Sequence, residues 1–251
     1  MTIGTKEWAK SNVNFQSGCL SDCQYCYARM MANKFGWKSW EDWCNPTIRK
    51  RDVQKNYRKR NGRIMFPSSH NIDLWNVHEG IKVLNKLIKA DNEVLVVIKP
   101  SYSVVERICR LVHDKNKIKF RFTITSNSVD KLSLFEMNAP GVMDRFNSMH
   151  CALRNRVKTS ISIEPFLDSD PTILIEELLD DGYGVNPEDI WIGPMNHLSQ
   201  LAKLSPIIAT QQKYLRRIYR PKNLEFIKAV AIEEGWKINF KDGFLKQMNQ
   251  R

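Results

Sequence analysis

The chain has no apolar run long enough to cross a membrane; its longest uncharged apolar stretches, such as VLVVI at 94–98, are strand-sized. Its opening residues, MTIGTKEWAK, lack the apolar segment of a secretory signal. Acidic residues are scarce: 27 Asp and Glu against 39 Lys and Arg leave a formal charge of +12. That imbalance favours polyanionic partners, nucleic acid first, and says nothing about fold. Cysteine is sparse too, six in 251 residues. Without a signal segment these are expected as reduced thiols in a cytoplasmic protein, with metal or redox chemistry for any that cluster. Internal repeats and low-complexity tracts are missing as well.

What is present is an alternation of short β-rich runs with helical patterns. Strands are expected at 8–15, 63–66, 93–98, 119–124, 158–163 and 189–193, and helices at 27–36, 78–90, 103–114, 139–154 and 171–180. Ser103 and Glu106 have the spacing of a capping box. Asp170 before Pro171 reads as an N-cap with proline at the first helical position. Strands and helices alternating at this spacing imply parallel pairing, hence an α/β fold: a partial (β/α)6 barrel, with an open doubly wound sheet as the rival. In both, ligands gather just after the C-terminal ends of the strands, so those positions are where functional residues are sought. A basic, Trp-rich insertion occupies 37–62, after the first helix. The barrel core is expected over 1–198, with a helical extension packed on it over 199–251.

Residues 18 to 29 read GCLSDCQYCYAR. Cys19, Cys23 and Cys26 stand at C-x3-C-x2-C, one thiol short of the set that closes a structural site. Two readings follow. A zinc site completed by Cys44 or His70 is one, although zinc knuckles pair two such hooks and only one is present. The other is a four-iron cluster with three protein ligands, which leaves one iron open to substrate or cofactor.

This spacing after a first strand, with an aromatic before the last cysteine, resembles the radical S-adenosylmethionine superfamily. SGCLSDCQYCYARMMANKFG, with SIEPFLD at 162–168 and IWIGP at 190–194, looks most like its spore photoproduct lyase-like branch and phage-associated relatives. The resemblance implies a 4Fe-4S cluster on the three cysteines and S-adenosyl-L-methionine (AdoMet) as the second cofactor. Reductive cleavage of AdoMet would give a 5′-deoxyadenosyl radical that abstracts hydrogen from a substrate, with the electron supplied by an external donor.

The strand-end positions nominate further residues. Tyr25 is where the family packs an aromatic beside the adenine; filling the barrel mouth is the alternative. After the second strand, Ser68, Ser69 and Asp73 are candidates for the amino end of AdoMet, Asp73 being the best acceptor for an ammonium group, and His70 for a proton donor. Lys99, emerging from the apolar third strand, either meets the cofactor carboxylate or snorkels to solvent. Thr125, Ser126 and Asn127 follow the fourth strand and offer hydrogen bonds to ribose or carboxylate oxygens, or form a plain polar loop. Glu164, after the fifth, suits the ribose hydroxyls or a substrate amine. Tyr27, just past the last ligand, and Cys44, a hydrogen donor or a plain thiol, are the catalytic candidates. Cys109 and Cys151 read as core thiols.

The run RKRDVQKNYRKRNGR at 49–63 holds eight Lys or Arg against one Asp. After Trp37, Trp40 and Trp43 it reads as a groove for a DNA or RNA backbone with stacking aromatics, or as a solvated face. Three functions stay open: a radical enzyme acting on a nucleic-acid base or nucleotide, a radical enzyme acting on a peptide or metabolite, and a metal-stabilised nucleic-acid-binding module.

Overall fold

The computed structural model describes residues 4–179 and 187–248. Its frame is a sheet of parallel strands in the order β1-β4-β5-β6-β7-β8-β9. They are β1 (Ser11–Asn12), β4 (Ile64–Phe66), β5 (Val94–Ile98), β6 (Ile118–Thr123), β7 (Lys158–Ile163), β8 (Ile190–Ile192) and β9 (Ile238–Phe240), and a separate antiparallel pair joins β2 (Gln16–Ser17) to β3 (Thr47–Ile48). Register runs in step across the sheet, from Ile64↔Val94 and Val94↔Ile118 to Ile161↔Ile190 and Ile190↔Ile238. The helices that carry the argument are α1 (Tyr27–Lys34), α2 (Lys50–Gln54), α3 (Val77–Lys89), α4 (Tyr102–Leu111), α5 (Val129–Phe135), α6 (Val142–Arg154), α7 (Thr172–Leu179) and α8 (Leu198–Leu201).

Alternation along the strands sorts inside from outside. On β6, Phe120 and Phe122 stack on each other at 5.3 Å in the core. Between them Arg121 turns to the barrel interior, where it bonds Ser160 Oγ (2.9 Å) and Asp189 (2.7 Å) and lies against Trp8 and Trp191. Lys119 joins this cluster through Asp189 and extends it to the exposed Glu188. The lower interior is therefore filled by paired charge and indole, and the upper interior is left for ligands.

The sheet curls until the segment ahead of β1 meets β8 and the residues that follow β9. Lys241 Nζ reaches Gly4 O at 3.0 Å, Asp242 N donates to Glu7 Oε2 at 3.1 Å, and Trp8 packs edge-on against Trp191. The partial α/β barrel expected from the sequence is present, with one difference. Residues 199–251, read as a helical extension, also supply β9, a seventh parallel strand. Residue 180 of the helix expected at 171–180 lies outside the described residues, as do residues 249–251 of the extension.

Two local expectations need comment. Ser103 does not cap its helix: α4 begins at Tyr102, whose N–H is taken by Asp144 Oδ1 of α6 at 2.8 Å. A tertiary contact thus replaces the capping box. Asp170 does accept from Thr172 N (3.0 Å) at the start of α7.

The insertion divides in two. Trp40 and Trp43 are buried, 7% and 3% exposed, and only Trp37 (73%) is open to solvent, stacked on Phe35. Trp40 lies under Arg29 at 4.0 Å, and Trp43 packs with Cys19 and Ala32. The tryptophans are therefore mainly the back wall of the cysteine loop, which corrects their reading as a stacking platform. The basic half is partly stitched down as well: Arg49 to Asp52 and Asn14 O, Lys55 to Asp52, Lys59 to Asp91, and Arg60 to Asn12 O. Lys86 of α3 meets the carbonyls of Val53 and Gln54 at the end of α2. Lys50, Arg51 and Arg58 are exposed and make no ion pair among the described residues.

Candidate active site

A cavity of about 420 Å³ opens at the C-terminal ends of the strands. Cys19, Cys23, Cys26, Tyr25, Tyr27, Ser68, Ser69, His70, Lys99 and Glu164 all line it, as the strand-end rule anticipates.

The cysteine loop is held from several sides. Gly18 sits at φ +81°, where a Cβ would lie 2.6 Å from Trp43 O, so this position requires glycine. Cys19 N donates to Trp43 O at 2.9 Å. Cys26 is the N-cap of α1, its sulfur accepting from Arg29 N at 3.4 Å, and Asn71 N donates to Cys19 Sγ at 3.2 Å. Backbone donors and a helix N-terminus favour thiolates. Burial opposes them, and it pushes the Cys23 and Cys26 pKa values up. Thiols placed this way need a cationic partner to ionise, which an iron cluster provides; the donor set fits one.

Among the described residues no three His, Cys, Asp or Glu side chains gather closely enough to hold one metal ion. Thiolates that each bind a different iron of a cube need only line a common cavity. His70 is also committed elsewhere: Nε2 accepts from Phe15 N at 3.3 Å, leaving Nδ1 to donate to Asn71 O at 2.9 Å. Burial drives its pKa down to about 4, so it stays neutral. Both ring nitrogens are therefore engaged within the protein.

Sequence reasoning missed the residue that organises this wall. Glu136, after α5, is 2% exposed. Its backbone bridges Cys23, and its carboxylate accepts from Tyr25 Oη, from Thr125 Oγ1 (2.7 Å) and from Arg145, which is itself fully buried. Burial alone would raise the Glu136 pKa, but Arg145 and then Lys99 hold it below the usual value. Lys99 Nζ stands 5.3 Å over the Tyr25 ring. Burial works against its charge, and attraction to Cys23 and Glu136 outweighs burial, so its pKa is raised. The lysine is therefore charged and points inward; it does not snorkel.

On the opposite part of the wall, Glu164 Oε1 accepts from Asn196 at 3.1 Å and Oε2 lies 3.7 Å from Lys241 Nζ. Burial lifts the Glu164 pKa although Lys241 opposes the shift. Tyr27 stacks on His197 at 5.3 Å at the rim, both rings exposed to solvent.

Five expected residues lie off the cavity wall. Ser126 is buried and donates to Asp168 (2.7 Å), and Asp73 Oδ1 accepts from Trp75 N (3.0 Å) within its own loop. Cys44 sits beside Asp22 behind the cysteine loop, where burial and Asp22 raise its pKa to about 11. Thr125 is taken by Glu136, and Asn127 by Glu177. Cys109 and Cys151 are core thiols, as expected, and all six cysteines are free.

No protein family and no curated protein matches the chain. Solved structures do. A double mutant of spore photoproduct lyase, with bound AdoMet and dinucleoside spore photoproduct, superposes with a TM-score of 0.56 at 17% identity over 78% of this chain. The same enzyme complexed with dinucleoside spore photoproduct gives 0.54 at 17% over 78%, and another mutant 0.55 at 18% over 76%. The chain shares their fold. It spans 66%, 60% and 58% of those proteins' lengths. No helix among the described residues is long and apolar enough to cross a membrane.

Proposed function

We propose that this protein is a radical S-adenosylmethionine enzyme of the spore photoproduct lyase-like branch, acting on a nucleic-acid base. The observation that carries the reading is the convergence of Cys19, Cys23 and Cys26 on one cavity at the strand ends, beside a charged Lys99. Its support is twofold: the cysteine motif points to this branch from the sequence, and the fold points to it from the structure. One solved relative carries bound AdoMet and a dinucleoside photoproduct, and the corresponding ligands here would be AdoMet and a DNA or RNA nucleotide.

Cys19, Cys23 and Cys26 would hold the 4Fe-4S cluster, with the buried Trp43 and Trp40 keeping water from its back. The cluster and AdoMet together supply, when bound, a carbon radical capable of abstracting hydrogen. Lys99 presents its ammonium group to the AdoMet carboxylate, and Ser69 faces its amino end. Tyr25 offers its ring to the adenine, fixed in place by Glu136. Tyr27 at the rim is placed to meet the substrate, and Glu164 faces the ribose or the substrate. The electron comes from an external donor docking on the surface. Lys50, Arg51 and Arg58 would track a phosphate backbone. Six free thiols suit a reducing cytoplasmic compartment.

Anaerobic purification and reduction test the reading. Protein carrying about four irons that converts AdoMet to 5′-deoxyadenosine and methionine supports it. A colourless zinc protein overturns it.

A further inference from the structure

The cavity has a second wall, completed by a residue that the six-strand core does not supply. Lys241 follows β9, and its side chain enters the cavity at 4% exposure. Nζ is pinned by Glu7 Oε1 (3.0 Å) and Gly4 O (3.0 Å), both ahead of β1, and lies 4.3 Å over the Trp8 ring. The fit is tight: a Cβ on Gly193 would lie 2.8 Å from Lys241 Cγ, so the β8 end must be glycine to let the lysine in. Glu164 and Asn196 adjoin it, and the Tyr27–His197 stack forms the rim. His197 holds this position at φ +58°, a left-handed conformation that a non-glycine residue adopts only where its surroundings dictate it.

An ammonium and an amide as donors, a carboxyl as acceptor and an aromatic pair at the entrance together suit one kind of ligand: a planar ring with carbonyl and N–H groups along one edge. The geometry points to Lys241, Glu164, Asn196 and His197 as the residues that read the substrate, while Lys99, Ser69 and Tyr25 serve the cofactor. This division rests on the radical-enzyme reading and assigns the substrate side to the segments that follow β7, β8 and β9. Lys241 and Asn196 donate to ring carbonyls, Glu164 accepts a ring N–H, and His197 stacks with Tyr27 against the ring face.

The test uses cluster-loaded protein under anaerobic conditions, with dinucleoside spore photoproduct as the substrate probe and AdoMet binding measured separately by equilibrium dialysis. Lys241→Met and His197→Ala are each expected to weaken probe binding about tenfold or more and to leave AdoMet affinity within about twofold. His197 is exposed, so its variant addresses the wall even if Lys241→Met fails to fold. The assignment is overturned if either variant weakens AdoMet as much as the probe, if neither changes probe binding, or if wild-type protein that cleaves AdoMet does not bind the probe. Wild-type protein that cleaves no AdoMet brings down the radical reading itself, and this assignment with it.

Discussion

The two walls of the cavity are built in opposite ways. On one, three thiols lie in a single short loop, and everything around them is anchored by buried charge: Glu136 with Arg145, Arg29 with Asp22, and Lys99 over Tyr25. On the other, Lys241, Glu164 and Glu7 come from remote parts of the chain and meet only because the sheet curls. The first wall is compact and preorganised. The second joins the segments after β7 and β9 to the one ahead of β1.

The sharpest way to break the comparison is Cys23→Ala. AdoMet cleavage should fall to background and iron content should drop; cleavage that persists with an intact cluster refutes the ligand assignment. Next is Glu136→Gln, which leaves Arg145 buried and uncompensated. The expected loss is about 3–5 kcal/mol of stability by chemical denaturation, with much of it recovered when Arg145→Met is added. If the single variant unfolds like wild type, the anchoring role fails.

The insertion gives a paired test of similar size. Trp43→Ala should cost about 3–5 kcal/mol, as an emptied core site does, whereas Trp37→Ala should stay within about 0.5 kcal/mol. Equal effects would restore the reading of the tryptophans as one surface platform.

Acid should weaken the thiol wall through His70. Its folded pKa of about 4 lies below the ordinary 6.5, so the unfolded chain binds the proton more readily in that window. Stability is therefore full above the unfolded value and is lost as pH falls from about 6.5 towards 4, by about 3 kcal/mol in total. A His70→Gln variant should show a shallower decline in thermal unfolding across that range. The smallest effect is expected on the surface. Replacing Lys50, Arg51 and Arg58 with Glu should weaken single-stranded DNA binding and lower its salt slope by about 0.7 for each phosphate that is no longer neutralised. An unchanged slope would assign these residues to a solvated face.

The contrast between the walls also separates what was legible in the sequence from what was not. The barrel was readable because buried parallel strands are apolar runs with turn signals between them, and β5 and β7 lie within a residue of the expected 93–98 and 158–163. β9 was not, since INF at 238–240 is short and only partly buried. The cysteine loop was readable because its chemistry is local. The rule that nominated Lys99 and Glu164 reaches Asn196 and His197 if carried one strand further, past IWIGP. It reaches Lys241 only once β9 is known. Glu136 carries no motif at all; its importance comes from meeting Arg145 and Tyr25 in three dimensions. Trp40 and Trp43 misled for the same reason, since aromatic density beside basic residues does not reveal which face is covered.

The most direct measurement is the electron paramagnetic resonance spectrum of the reduced, iron-loaded protein before and after AdoMet is added. A cluster of about four irons whose signal shifts on adding AdoMet is the expected result. A signal indifferent to AdoMet, or protein made without oxygen that takes up no iron, would contradict an iron reserved for the cofactor.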